Sequence, residues 1–291
     1  MLNLSRFFVS TASTLFLGAI AVSSAASATP LAVKTIAPIG VQARHRVMAD
    51  RVRTASAGTC TTVNISAALS ADLEEPATTA TVAYVIPGPG TYTQLNIDGT
   101  GCDIAVYVPQ GTTGVSITDS VIHDGTRAGI AADASVGTRI NGVTVYNIGW
   151  HAPTYAPNGV QYGFAILAEG AKNFTATNDS VYLYQKEGFS VFDSTGNVSN
   201  DIATGAGELP YIASNGFDVE NDKFTSFAAN KTELNQYSGP IYGAAGYIVC
   251  GVSIDGILLN SRLTPLFETL LGNSSLFDDI DYYIDANANC S

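Results

Sequence analysis

A short β-prone run closed by a two-residue turn signature recurs along most of this chain. It reads Ile97-Asp98-Gly99, Ile117-Thr118-Asp119, Ile140-Asn141-Gly142, Thr177-Asn178-Asp179, Ser199-Asn200-Asp201, Glu220-Asn221-Asp222 and Ile254-Asp255-Gly256. Counted at Asp98, Asp119, Gly142, Asp179, Asp201, Asp222 and Asp255, successive turns lie 21, 23, 37, 22, 21 and 33 residues apart. The four short intervals set the period, and the two long ones contain insertions, around Trp150 to Gln161 and around Phe227 to Gly243. A fixed period of this size is the signature of a stacked repeat architecture. A unit this short holds two or three strands and turns, and a helix of ten residues does not fit beside them. That excludes βαβ units and horseshoes with helical backs.

A second series runs out of phase with the first. Gly129-Ile130, Gly163-Phe164, Gly188-Phe189 and Gly246-Tyr247 each open an apolar strand. Alternation within strands predicts Val115, Ile117 and Val121 facing in, with Ser116, Thr118 and Ser120 facing out. Asn and Asp tolerate the left-handed backbone of a tight turn, so Asn141, Asn178, Asn200 and Asn221 are expected to align as a hydrogen-bonded ladder. The expected fold is all-β: a parallel β-helix solenoid of about seven coils, whose stacked repeats bury a core that none buries alone.

Solenoid ends need covers. Ser66 to Glu75 has helical composition, a Ser cap and a stop at Pro76, and is expected as an N-terminal lid within about 60–76. Thr264-Pro265 begins a second helix carrying Leu263, Leu266, Phe267, Leu270 and Leu271 on one face and ending at Gly272. It is expected as the C-terminal cap, in a cap and tail over about 261–291. With these elements in place, residues 92–256 resemble the pectin-lyase-like superfamily of right-handed β-helices. The likeness is to an architecture and not to one enzyme family. It implies a right-handed coil, and a membership in which polysaccharide lyases and hydrolases outnumber adhesins and tailspikes. Fold alone does not assign function.

The first residues read as an export signal over 1–28. Arg6 is followed by the apolar stretch Phe7 to Val22 and the small-residue cleavage site Ala26-Ser27-Ala28. Residues 29–57 read as a linker or propeptide, and 58–291 as the domain. The expected location is secreted or extracellular, with the periplasm or the cell surface included, and no later segment is apolar for long enough to span a membrane. In an oxidising compartment the four cysteines suit two disulfides. Two lie early and two late, which favours Cys60–Cys102 and Cys250–Cys290. Beyond residue 58 the chain carries seven basic against 24 acidic residues. Such a body repels nucleic acid and anionic membranes.

Chemistry is harder to read. A lyase of this fold needs a Lys or Arg base beside cation-binding acids. The nearest basic residues are Arg127 and Arg139, and both read as surface charges, with Asp124 or Asp133 as partners. The Asn-Thr-Asp, Gly-His-Gly and Arg-Ile-Lys segments of hydrolases of this fold are absent. In Asp218-Val219-Glu220-Asn221-Asp222, the first and third residues share one face of a strand. Asp218 and Glu220 are therefore the candidate acid and base for a glycosidic bond, or hard oxygen ligands for Ca²⁺, while a zinc site is not expected from the cysteines, because no C-x-x-C spacing occurs. The insertion holding Trp150, His151, Tyr155 and Tyr162 offers flat aromatic faces for sugar rings. Tyr237 and Tyr242, in the second insertion, are placed for an opposite wall. The pairs His123-Asp124 and Lys186-Glu187 read as turn or surface pairs.

Two function classes remain open to the sequence. One is a secreted protein that binds or processes an extracellular polysaccharide or cell-surface glycan, hydrolase-like if catalytic. The other is a non-catalytic adhesin or structural solenoid. A capped solenoid has no edge that needs a partner, so a monomer is expected.

Overall fold

The computed structural model describes residues 59–149, 161–239, 243–263 and 271–286, together with Glu268. Trp150, His151, Tyr155, Tyr242, Cys290 and residues 1–58 lie outside the described residues, as does most of the expected C-terminal helix. The chain is all-β, with strands in three sheets that are almost wholly parallel. Sheet A contains Thr79–Val85, Ile104–Val108, Ala128–Asp133, Phe164–Glu169, Glu187–Phe192, Asn215–Glu220, Ala245–Cys250 and Ile280–Asp285. Sheet B runs from Gly90–Thr93 to Ser253–Ile254, and sheet C from Asn96–Asp98 to Ser274–Leu276. The chain visits A, B and C in turn, and each strand pairs in register with its counterpart one circuit later. This order is compatible with a β-helix-like solenoid. Among the described residues no helix is long and apolar enough to cross a membrane.

The turn residues do two jobs, one of which the repeat pattern hides. Between sheets B and C the chain takes a positive φ at Gln94, Asp119, Gly142, Asn178, Asn200, Ala229 and Gly272. The residue that follows each of these turns toward the interior. Ser120, Asp179, Asp201, Asn230 and Asn273 are all buried there. Their side chains accept backbone N–H groups from the circuit before. Val143 N donates to Asp179 Oδ1 (2.7 Å), Asp179 N to Asp201 Oδ1 (2.8 Å), Asp201 N to Asn230 Oδ1 (3.1 Å) and Asn230 N to Asn273 Oδ1 (3.0 Å). A buried N–H without a partner is costly, so this inner ladder satisfies the corner's donors. The expected outer Asn ladder is largely replaced by it. Asn178 Nδ2 does donate to Asn141 Oδ1 (3.0 Å), but Asn221 sits at the A-to-B corner and bonds to Asp193. The positive φ of Asp119 also resets the alternation. Val115 and Ile117 face the core as expected, but beyond the corner Ser120 and Ile122 are buried while Val121 is half-exposed.

Of the glycine series, Gly129, Gly188 and Gly246 lie on sheet A's inner surface, whereas Gly163 sits at the corner just before Phe164–Glu169. By register, Gly129, Ala165, Gly188, Gly216 and Gly246 form one column. Side chains from sheet C press into this column. A Cβ on Gly216 would stand 2.4 Å from Thr232 Cγ2 and 2.6 Å from the Gly246 carbonyl oxygen. The same column would take a Cβ on Gly188 to 2.6 Å from the Gly216 carbonyl oxygen. Gly216→Val is expected to lower stability by about 1–3 kcal/mol through overpacking, read as a fall in the thermal midpoint. An unchanged midpoint would mean the sheets can move apart freely.

The N-terminal helix forms at Ala67–Asp72, with Ser66 capping it by accepting Leu69 N (3.0 Å). Its apolar side covers the outside of sheet A and not an open end, contrary to the lid expected. Leu69 and Leu73 pack with Tyr107, Ala131 and Leu167, which alternate along their strands with the core-facing Val106, Ile130 and Ile166. Asp133 Oδ2 accepts Ser66 N (2.8 Å) at one end of the helix. Arg127 donates to the Leu73 and Glu74 carbonyls at the other and pairs with Glu75 (2.9 Å). Cys60–Cys102 is bonded, as expected, and ties the start of Thr61–Asn64, the antiparallel edge strand of sheet A, to the segment before Ile104–Val108.

Candidate functional site

Where the helix stops, the outer face of sheet A opens. By register its exposed-side columns run Phe164, Glu187, Asn215, then Leu167, Ser190, Asp218, Ile248, then Glu169, Phe192, Glu220. Phe164, Leu167 and Phe192 belong to the apolar cluster under the helix, Glu169 meets Asp72 at the helix end, and Asn215, Asp218, Glu220 and Ile248 lie beyond it. A cavity of about 550 Å³ sits over Asn215, Asp218, Glu220 and Ile248. Its walls come from the C-to-A corners of successive circuits: Gln161, Lys186, Tyr211 to Ala213, Tyr237 and Gly243. Sheet C builds part of this wall by running long, with Ile202–Leu209 paired to Lys231–Tyr237 across a register shift.

Both candidate acids therefore line one cavity. Asp218 is 8% exposed and Glu187 beside it 3%. Asp218 Oδ1 takes no hydrogen bond from any donor among the described residues, and its contact with the Glu187 carboxyl is a hydrogen bond only when one of the two carries a proton. Burial, then the charges of Glu187 and Glu220, push the Asp218 carboxyl well above the usual carboxylate range. Glu220 is raised as well, by burial and then by Glu187 and Asp193. Glu187 Oε2 accepts Ser190 Oγ (2.6 Å) and Oε1 lies 3.9 Å from Lys186 Nζ. Lys186-Glu187 is thus not the surface pair expected. Its acid is buried against Asp218, and its lysine is the one basic residue among the cavity's described lining residues. At the helix end, Asp72 and Glu169 form a second close pair. Burial is the leading cause of the rise in both: Asp72 is pushed up to about 7 although its hydrogen bond to Glu169 works against the rise, and Glu169 to about 8 with the Asp72 charge adding to it.

The other sequence candidates are dispersed. Tyr162 is 8% exposed and packed in the apolar cluster under the helix, with the Arg127 guanidinium 4.6 Å from its ring centre. Arg127 is thus occupied in holding the helix. Arg139 is exposed on sheet B, in register with Ser116 and Thr175. Gln161, at the end of the first insertion, does reach the cavity, and Tyr237 lines the far wall. Tyr211, 62% exposed at the rim, was not singled out from the sequence. Its only signal there is a Leu-Pro-Tyr segment between two strands. Glu187 had a stronger signal, since it stands immediately before Gly188 in the glycine series.

No family model, no curated protein and no solved structure matches this chain.

Proposed function

We propose that this chain is an exported, monomeric right-handed β-helix of about seven coils, of the pectin-lyase-like kind, that binds and hydrolyses an extracellular polysaccharide in the sheet A cavity. The observation that carries the reading is the convergence of Asp218 and Glu220 on one cavity, with the buried Asp218 Oδ1 lacking a donor among the described residues. Two carboxyl groups whose surroundings separate their proton affinities are the usual pair for glycosidic cleavage. Asp218, buried and held protonated, gives its proton to the leaving oxygen. Glu220, half-buried, takes one from the attacking water. Tyr211 and Tyr237 offer aromatic surface to a sugar ring. Elimination from a uronate fits less well, because Asp218 and Glu220 line the cavity with Glu187 buried beside Asp218, and Lys186 is the one basic residue among its described lining residues. The cavity would repel a polyuronate unless Ca²⁺ bridged it.

The test is incubation of the purified protein with neutral and acidic polysaccharides, with and without Ca²⁺, while reducing ends and unsaturated ends are followed in parallel. New reducing ends from a neutral polymer are expected. Unsaturated ends would replace hydrolysis by elimination. Retention on a polymer without product would move the protein to the adhesin class.

A further inference from the structure

Three donor groups meet at the C-to-A corner of earlier circuits and share no residue with the cavity. Asp98 and His123 end successive strands of sheet C in register, so their side chains stand side by side. Asp124 follows at positive φ, and its Oδ2 lies 2.5 Å from His123 Nδ1. One ligating atom from each of Asp98, His123 and Asp124 falls within 4.8 Å of the others. Each side chain is also oriented by a neighbour outside the group. Asn147 Nδ2 donates to Asp124 Oδ1 (2.6 Å), and Thr100 N and Oγ1 donate to Asp98 Oδ1 (2.9 and 2.6 Å). The imidazole lies flat against Tyr146 (5.0 Å, 14°), which stacks in turn on Tyr182. No Lys or Arg among the described residues forms an ion pair with either aspartate.

We propose that Asp98, His123 and Asp124 form a binding site for a first-row divalent metal ion of the Zn²⁺ type. The imidazole decides the class of ion. Carboxylates alone would suit Ca²⁺, which takes six to eight oxygens, whereas one nitrogen and two carboxylate oxygens suit Zn²⁺ and its neighbours. The ion takes the place of the proton held between Asp124 Oδ2 and His123 Nδ1. Both atoms become ligands, and the imidazole proton moves from Nδ1 to Nε2 by exchange with solvent, so that a neutral imidazole and an ionised carboxylate face the ion. Three protein ligands leave a further position for water or a ligand oxygen. Asn147, Thr100 and Tyr146 are positioning residues that hold the ligands from outside.

The purified protein, stripped with a chelator, is titrated with Zn²⁺ by calorimetry and with Co²⁺ by visible absorption. One equivalent is expected, with the bands of nitrogen- and oxygen-ligated Co²⁺. His123→Ala and Asp98→Asn are each expected to weaken binding at least about 100-fold, and Asn147→Ala about 10–100-fold. His45→Ala, which replaces a histidine of the 29–57 segment, serves as a control and should bind as the parent does. Asp98→Asn preserves shape, so its thermal midpoint without metal should match the parent's. No saturable binding below about 1 mM (roughly −4 kcal/mol), or parent-like binding by His123→Ala or by a folded Asp98→Asn, would overturn the site.

Discussion

Asp218→Asn is expected to lower the rate of polysaccharide hydrolysis by about 10²–10⁴-fold, the range associated with losing a positioned proton donor, while making the protein more stable at alkaline pH. The two halves follow from one fact. Asp218 is a buried carboxyl whose neighbours on the outer face are Glu187 and Glu220. In its protonated form it costs the fold little and holds the proton that a leaving oxygen needs. In its ionised form it places a further negative charge beside two others with only Lys186 opposing. Asn keeps the shape of the protonated acid and cannot ionise, so the chemistry is lost and the repulsion with it. A merely structural Asp218 would show no change in rate at any pH. A merely positioning one would shift KM and leave the alkaline limb of the rate profile in place. Glu220→Gln is expected to lose the acid limb instead, because the half-buried base must be ionised to accept a proton. If Asp218→Asn cleaves as the parent does, the assignment of the proton donor fails whatever the stability shows.

The period in the sequence was enough to place strands, corners and the direction of pairing, and less than enough to say which way corner residues point. In Asn178-Asp179 and Asn200-Asp201 the first residue supplies the left-handed backbone, which residue type reveals. The second residue points inward and takes a backbone N–H. Nothing in a dipeptide distinguishes an inward aspartate from a solvated one, and an aspartate with no cation beside it is unusual in an interior. The doublet Asn221-Asp222 looks the same yet belongs to a different corner, because corners of the same shape recur more than once per circuit. The candidate acids were legible because period two along a strand puts Asp218 and Glu220 on one side. Glu187 was not, since its contact with Asp218 runs diagonally between neighbouring strands, and only the alignment of Gly188 with Gly216 supplies that register. The helix was predicted from composition and a stop at Pro76. Its seat on sheet A depends on Tyr107, Ala131 and Leu167, apolar residues on the outward side of their strands, where the repeat pattern carries no sign of a covering helix.

Stability is expected to fall as pH rises from about 5 to about 9, on the order of 3–4 kcal/mol for the Asp72–Glu169 pair alone. That corresponds to about 10 °C in the thermal midpoint at 2–4 °C per kcal/mol. Among the described residues eight carboxyls are displaced upward: Asp72, Glu75, Glu169, Asp179, Asp201, Asp218, Glu220 and Asp222, in every case with burial as the leading cause. A raised carboxyl binds its proton more tightly folded than unfolded. Its contribution is complete below the unfolded value, near 4, and disappears as pH climbs through the folded value. For Asp72 that value is about 7, for Glu169 about 8 and for the inner-ladder Asp179 about 7. Asp72 and Glu169 share a proton across the helix–sheet contact, so its loss leaves two charges repelling at the helix's C-terminal end, where the helix dipole already disfavours an anion. Asp72→Asn should therefore flatten the midpoint-versus-pH curve, since an amide can donate to Glu169 at any pH. A curve that is level or rising between pH 5 and 9 in the parent protein would mean that these acids are solvated and ionised, and the shared proton would have to be abandoned.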